Sequence, residues 1–149
     1  MHGKIVRIDV DSPPDPGLPY KIPQDNPFVD DVSARHEIFA FGLRHTWRCD
    51  VDEGDRETGA NAGRIICGDV GHSRFGEINV ITSGGNYGWN MREGFECYRS
   101  TSCDQRGEIL PIHVYNHSVG QSVTGGHMYR GCLSPNLHGK YMYGDFNVG

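Results

Sequence analysis

The sequence predicts an all-β protein, and three observations support this. The chain has 21 glycines and 8 prolines among 149 residues, well above the roughly 12% that these two residues average in proteins. Short runs rich in Val, Ile, Phe and Tyr recur between turn residues. No window shows three helical turns of apolar spacing. We therefore expect many short strands joined by turns.

Four runs in the first half of the chain predict strands. Residues 3–10 alternate isoleucine and valine with polar residues and end at a turn-forming Asp-Ser pair. Six prolines then predict an extended loop over residues 11–28. Residues 37–43 contain isoleucine and two phenylalanines, residues 47–51 begin with a tryptophan, and residues 63–69 contain two isoleucines between glycines.

Four further runs, in the second half of the chain, also predict strands. Residues 77–82 alternate apolar and polar side chains before a Ser-Gly-Gly turn. Residues 109–115 contain Pro111, which cannot donate to a sheet ladder and so predicts an edge strand. Residues 122–130 and 139–146 again combine β-branched or aromatic residues with flanking glycines. Eight strands are thus expected.

The strand count and the two ends of the chain suggest part of a β-propeller. Eight strands at four per blade make two blades, whereas closed propellers have about four to eight. The chain begins as a strand, and it stops just after an alternating apolar run with no polar tail. We therefore expect residues 1–149 to be a fragment, two to three blades, of a larger propeller. A complete β-sandwich is the alternative.

Composition excludes some classes of partner and favours a secreted protein. The formal net charge is −5 with no basic block, so nucleic acid is a poor candidate. No apolar run approaches the roughly 20 residues of a membrane helix, and no signal-peptide pattern opens the chain.

Five cysteines without a C-x-x-C motif favour disulfides over a zinc site; five buried thiols are the alternative. The sequon at Asn116 predicts glycosylation.

Most local motifs do not predict a site. The acidic stretch over residues 50–55 lacks the glycine and the final glutamate of an EF-hand, so we expect a solvated hairpin turn. Residues 71–76 have one residue too many for a G-x-S-x-G nucleophile elbow. His113 and His117 do not converge on one metal if they lie on a strand and a turn. The glycine-rich residues 84–89 leave two interpretations: an ordinary turn, or backbone carbonyls that share a cation with Glu77.

Several segments together resemble the glucose/sorbosone dehydrogenase family of six-bladed propellers. They are most similar to its hedgehog-interacting protein-like members, which we expect to form an animal branch of the family. Their order along the chain and the placement of the cysteines support this resemblance. The segments are GKIVRID (3–9), IPQDNPF (22–28), FGLRH (41–45), GDVG (68–71), EIN (77–79), GGNYGW (84–89), SVTGG (122–126), YRGC (129–132) and YGDF (143–146).

The resemblance implies a cofactor site. Bacterial members of the family bind pyrroloquinoline quinone beside a calcium ion, and a histidine base removes a sugar hydroxyl proton as hydride passes to the quinone. Arg44 matches the arginine that contacts the quinone, although it could instead pair with a nearby carboxylate. His45 stands where those enzymes usually have asparagine. Gly71 and His72 match the Gly-Pro pair whose carbonyls bind the cofactor's calcium.

A second, structural calcium site is also implied, at Glu77 and the carbonyl of Tyr87. The resemblance further implies that Cys49 bridges Cys67 and that Cys97 bridges Cys103. Cys132 is then expected to pair with a cysteine beyond Gly149.

Departures from the family pattern leave catalysis open. The histidine base is expected upstream of Met1, and Asn147 stands where the bacterial enzymes have a lysine. Two hypotheses follow. The first is a secreted, calcium-stabilised binding module whose loops contact a protein or a glycan. The second is a quinone-dependent sugar dehydrogenase with a small sugar as substrate.

Overall fold

A computed structural model gives the structure of residues 2–104 and 106–147. In these residues the regular structure is ten β-strands and one three-residue 3-10 helix, with no α-helix, so the all-β prediction is confirmed. The strands are β1 (Lys4–Val6), β2 (Ile38–Phe41), β3 (Thr46–Val51), β4 (Ile65–Asp69), β5 (Phe75–Ile81), β6 (Arg92–Glu93), β7 (Glu96–Cys97), β8 (His113–Asn116), β9 (Val123–Met128) and β10 (Tyr141–Asp145).

All eight predicted runs contain a strand, and residues 11–28 form turns and irregular structure as the prolines suggested, apart from an isolated bridge between Lys21 and Asp9. Within the described part of the chain, no helix is both long and apolar enough to cross a membrane. The sequence prediction omitted only β6 and β7. These two-residue strands form a hairpin and are too short for an alternating pattern to be detected.

A four-stranded antiparallel sheet lies at the centre of the fold, in the order β3-β4-β5-β8. Strands β1 and β2 form a second sheet, and β9 and β10 form a third. Strand β8 lies at an edge of the central sheet and begins two residues after Pro111, so the edge-strand prediction is confirmed.

The central sheet is packed on both faces, because neighbouring residues of a strand point to opposite sides. On one face Ile66 and Ile78 pack with Val123 and Met128 of β9. On the other face Cys67 and Ile81 join a cluster that includes Ala40 of β2 and Tyr87. A sheet covered by a different sheet on each face corresponds to neighbouring blades of a propeller. The fold is therefore part of a β-propeller, not a two-sheet sandwich.

Both implied disulfides are present. Cys49 of β3 is bonded to Cys67, which lies directly opposite it on β4. Cys97 at the end of β7 is bonded to Cys103. Cys132 is exposed and has no disulfide partner among the described residues, so its expected bond outside this chain stays a prediction.

Candidate functional site

Three separate segments meet at one end of the central sheet. The Arg44 guanidinium lies 5.9 Å from the centre of the Trp89 ring, within cation–π range. The His72 ring lies 5.6 Å from Trp89 and 5.2 Å from Tyr98, and the Trp89 and Tyr98 rings are 4.6 Å apart. We call Arg44, His72, Trp89 and Tyr98 the candidate face. It brings together two of the four residues that the resemblance assigns to a cofactor, Arg44 and His72.

Asp69, at the end of β4, fixes the backbone of the other assigned positions. Its carboxylate accepts hydrogen bonds from the N–H groups of Arg44 (2.8 Å), His45 (2.8 Å) and Gly71 (3.0 Å), and from the Thr46 hydroxyl (3.2 Å). Asp69 is 1% exposed. One buried carboxylate therefore joins the segment before β3 to the turn after β4.

Glu93 of β6 fixes the rest of that turn. Its Oε1 accepts the N–H groups of His72 (2.8 Å), Ser73 (2.6 Å), Arg74 (2.8 Å) and Phe75 (3.3 Å). Burial disfavours ionisation of Glu93, but these four donors outweigh it and the pKa of the carboxyl lies below its ordinary value. Hence five consecutive N–H groups, from residue 71 to residue 75, donate to two buried carboxylates.

The turn leaves two carbonyls free. Gly71 has φ +72°, and a Cβ there would lie 1.9 Å from the Phe75 carbonyl oxygen, so only glycine fits. Within residues 2–104 and 106–147, no hydrogen bond is donated to the carbonyl of Gly71 or of His72. Free carbonyl oxygens are suitable ligands for a hard cation, so the geometry is compatible with the calcium role that the resemblance implies.

Arg44 and His45 differ in their surroundings. The Arg44 guanidinium lies over Trp89 and forms no ion pair with a residue in the described ranges. His45 is exposed, and its ring packs edge-on against Trp47 at 5.9 Å instead of joining the candidate face.

Glu77 lies in a buried, acidic environment. Burial raises the pKa of Glu77 to about 7, and the Asp69 and Glu93 carboxylates add to the rise. Its Oε1 accepts the Gly94 N–H, and its Oε2 accepts a hydrogen bond from the Asn79 amide. The Asn79 Oδ1 is buried without a hydrogen-bond partner. A buried carboxyl group whose ionisation is disfavoured, beside an unpartnered amide oxygen, is compatible with a bound cation.

Tyr87, the second implied calcium ligand, is held by contacts of its own side chain. Its hydroxyl donates to the Val80 carbonyl (2.6 Å) and accepts the Thr82 N–H (2.9 Å). Its ring belongs to the same buried cluster as Ile81, whose side chain lies on the same face of β5 as that of Glu77. Across the described ranges, no group of three or more His, Cys, Asp or Glu side chains has metal-binding geometry. The calcium site stays a prediction.

Two other predicted positions lie away from the candidate face. Asn116 is exposed at the end of β8, and its Oδ1 accepts the Ser118 N–H; its glycosylation stays a prediction. Asn147 is exposed just after β10, where its N–H donates to Asp145. No described contact joins either residue to the candidate face.

Sequence reasoning did not single out Asp69, Glu93, Trp89 or Tyr98. Asp69 and Trp89 lie in segments that supported the resemblance, but nothing in the sequence showed which groups they contact. Glu93 and Tyr98 belong to or follow the β6–β7 hairpin, which the sequence prediction omitted. Buried acceptors of backbone N–H groups have no sequence periodicity, so only the three-dimensional contacts identify them.

Comparison with known proteins gives a consistent result. The family model described as "Glucose / Sorbosone dehydrogenase" matches residues 1–148. The chain is 37% identical to HIPL1 protein of Arabidopsis thaliana, 33% to aldose sugar dehydrogenase YliI of Escherichia coli and 26% to Hedgehog-interacting protein of Mus musculus. The alignments cover 96%, 97% and 97% of this chain, but only 23%, 36% and 18% of those proteins. The similarity thus extends to plant proteins and not only to an animal branch.

Solved structures agree on the fold. A glucose dehydrogenase matches with a TM-score of 0.73 at 22% identity, covering 97% of this chain and 39% of the enzyme. The aldose sugar dehydrogenase of Streptomyces coelicolor in its PQQ-bound form matches with a TM-score of 0.56 at 23% identity, covering 87% and 30%. At these identities the match establishes architecture alone.

Proposed function

Because this chain belongs to the glucose/sorbosone dehydrogenase family, we propose that residues 1–149 form part of an extracellular dehydrogenase-type propeller that acts as a binding module without oxidising a sugar. The main support is the packing of the His72 side chain. Its ring packs against Trp89 and Tyr98 at a position where the resemblance expects proline. With Arg44 beside them, these rings provide the aromatic and arginine side chains that are enriched at binding sites. A protein or a glycan is the proposed partner.

Two features support an extracellular location. Both disulfides join segments of the folded chain, and such bonds persist mainly in oxidising compartments. Asn116, in the sequon, is exposed on an edge strand, where a glycan could be attached without entering the core.

Calcium is proposed at Glu77, with the Tyr87 carbonyl as a second ligand. We expect calcium to raise the melting temperature of the wild-type protein and to have little effect on Glu77→Gln, which lacks the charge. At free calcium a hundred times the dissociation constant, the wild-type gain is about 2.7 kcal/mol. Thermal unfolding with and without calcium measures it, and Glu57→Gln, at an exposed site, is the matched control. An equal gain in Glu77→Gln would show that the site is misplaced.

A pyrroloquinoline-quinone-dependent aldose dehydrogenase is the second candidate function. It is favoured by the free carbonyls of Gly71 and His72, which would contact calcium, and by Arg44, whose guanidinium suits a quinone carboxylate. When bound, the quinone would supply the hydride acceptor. The relative named aldose sugar dehydrogenase is 33% identical to the chain, which agrees with this candidate. The catalytic histidine would have to come from outside residues 1–149.

One assay separates the two candidates. The full-length protein that contains residues 1–149 is purified, because the catalytic histidine would come from outside these residues. It is incubated with pyrroloquinoline quinone and calcium and then tested for dye reduction with a panel of aldoses. The binding-module proposal predicts no turnover, while the E. coli aldose sugar dehydrogenase, assayed in parallel, provides the positive control. Turnover that falls in Arg44→Gln would overturn the binding-module proposal in favour of the dehydrogenase.

A further inference from the structure

The Glu93 carboxylate lies where the backbone N–H groups of a turn commonly bind a separate anion. Successive N–H groups that converge on one point form an anion-binding concavity. Here the four N–H groups of residues 72–75 converge on Oε1 of Glu93, at 2.6–3.3 Å. The carboxylate comes from β6, eighteen or more residues along the chain, and is 3% exposed. A side chain of the β6–β7 hairpin therefore fills the concavity in this structure.

The same hairpin also contacts the His72 side chain. Tyr98 directly follows β7, and its ring lies edge-on to the His72 ring at 5.2 Å. The Cys97–Cys103 disulfide closes the loop that contains Tyr98. His72 is thus contacted twice by one element, at its backbone by Glu93 and at its ring by Tyr98.

Nearby acidic residues do not share this role. Glu96 lies in the same hairpin, but it is about half exposed and forms an ion pair with Arg74, also exposed. Asp69 receives the Gly71 N–H but none from residues 72–75. Without Glu93, four N–H groups lose their common acceptor, and no other described side chain accepts from them.

We propose that Glu93 is a positioning residue of the candidate face: its carboxylate fixes the backbone of residues 72–75 and thereby the places of the His72 ring and of the free carbonyls of Gly71 and His72. This inference rests on the proposed function in one respect, that the candidate face binds a ligand. The part concerning the backbone does not depend on which ligand binds.

Amide hydrogen exchange of the full protein tests the inference without any ligand. We expect exchange at residues 72–75 to be at least about tenfold faster in Glu93→Ala than in wild type, because protection there depends on one acceptor. Glu93→Gln keeps an acceptor oxygen and should restore most of the protection. Glu96→Gln, in the same hairpin, should leave it unchanged. Unchanged exchange on β9 shows that the variants remain folded.

Two results would overturn the positioning role: wild-type protection of residues 72–75 in Glu93→Ala, or equal loss of protection in Glu93→Gln and Glu93→Ala. A titration with calcium and pyrroloquinoline quinone as the probe adds a binding measurement. If wild type binds the probe, Glu93→Ala should bind it at least about tenfold more weakly, and equal binding would also overturn the role. If wild type binds no probe, the dehydrogenase candidate fails. The hydrogen-exchange result alone then decides whether Glu93 is a positioning residue.

Discussion

Replacing Asp52 with asparagine is expected to lower the free energy of unfolding by about 3–5 kcal/mol, because the change breaks a buried ion pair and leaves its cation unpaired. Asp52 is 1% exposed, and both of its oxygens accept hydrogen bonds from Arg130, each at 2.8 Å. Arg64 lies 3.3 Å away as a second cation, and the Gly54 N–H donates to the same carboxylate.

This pair connects two blades. Asp52 follows β3 of the central sheet, and Arg130 follows β9 of the neighbouring sheet. Residues 50 and 51 of the acidic stretch end β3, and residues 52–55 begin the hairpin connection to β4. The predicted hairpin is therefore present, but the expectation of a solvated turn is wrong at Asp52. The reason is that the arginine that makes burial of this carboxylate favourable lies 78 residues away in the sequence.

The pair also predicts a pH dependence. Hydrogen bonding to Arg130 lowers the pKa of Asp52 to about 2, from an ordinary value of 3.8. A carboxyl whose pKa is lower in the folded state contributes stability above its unfolded value. The contribution is therefore complete at neutral pH and is lost as the pH falls from about 3.8 toward 2.

Urea unfolding near pH 7 and near pH 3 measures both effects. Asp52→Asn should be much less stable than wild type near pH 7, with a smaller difference in acid. Asp25→Asn is the matched control, since Asp25 pairs with Arg7 at the surface, with the side chains 76% and 42% exposed. It should unfold close to wild type. A loss under about 1 kcal/mol in Asp52→Asn, the range of exposed pairs, would contradict the prediction.

Removing the Cys49–Cys67 disulfide, as Cys49→Ala with Cys67→Ala, is expected to cost about 3 kcal/mol. The bond closes a loop with a sequence separation of 18, and cross-linking such a loop removes about that much conformational freedom from the unfolded chain. Cys67 is fully buried against Ala40 and Leu43, so the variant also loses packing within the cluster between two sheets.

A second disulfide provides the comparison. Cys97 and Cys103 are only six residues apart, and the same relation gives about 2 kcal/mol for their removal. Chemical denaturation should therefore rank the variants, with the Cys49–Cys67 pair the more destabilising and Cys132→Ala, at an exposed free cysteine, close to wild type. The reverse order for the two pairs would show that loop length does not determine their contribution.

The family relationship and most of the strands could be predicted from the sequence. The eight strands of three or more residues lie in runs that are rich in apolar residues and flanked by turn residues, and these local signals predicted all eight. The hairpin at residues 92–97 could not be predicted in this way, because each strand has only two residues and mostly polar side chains. Its position also depends on contacts with distant residues, such as the close approach of Gly94 to the Phe75 ring.

For the candidate site, the resemblance predicts that Arg44, His45, Gly71 and His72 take the family's cofactor positions, and this stays a prediction. Their arrangement could not be read from the sequence: the His45 ring packs against Trp47, and the His72 ring packs against Trp89 and Tyr98. This is because backbone N–H groups outside the sheet hydrogen-bonding pattern need other acceptors. Here the acceptors are Asp69 and Glu93, and their contacts across the fold have no local sequence pattern.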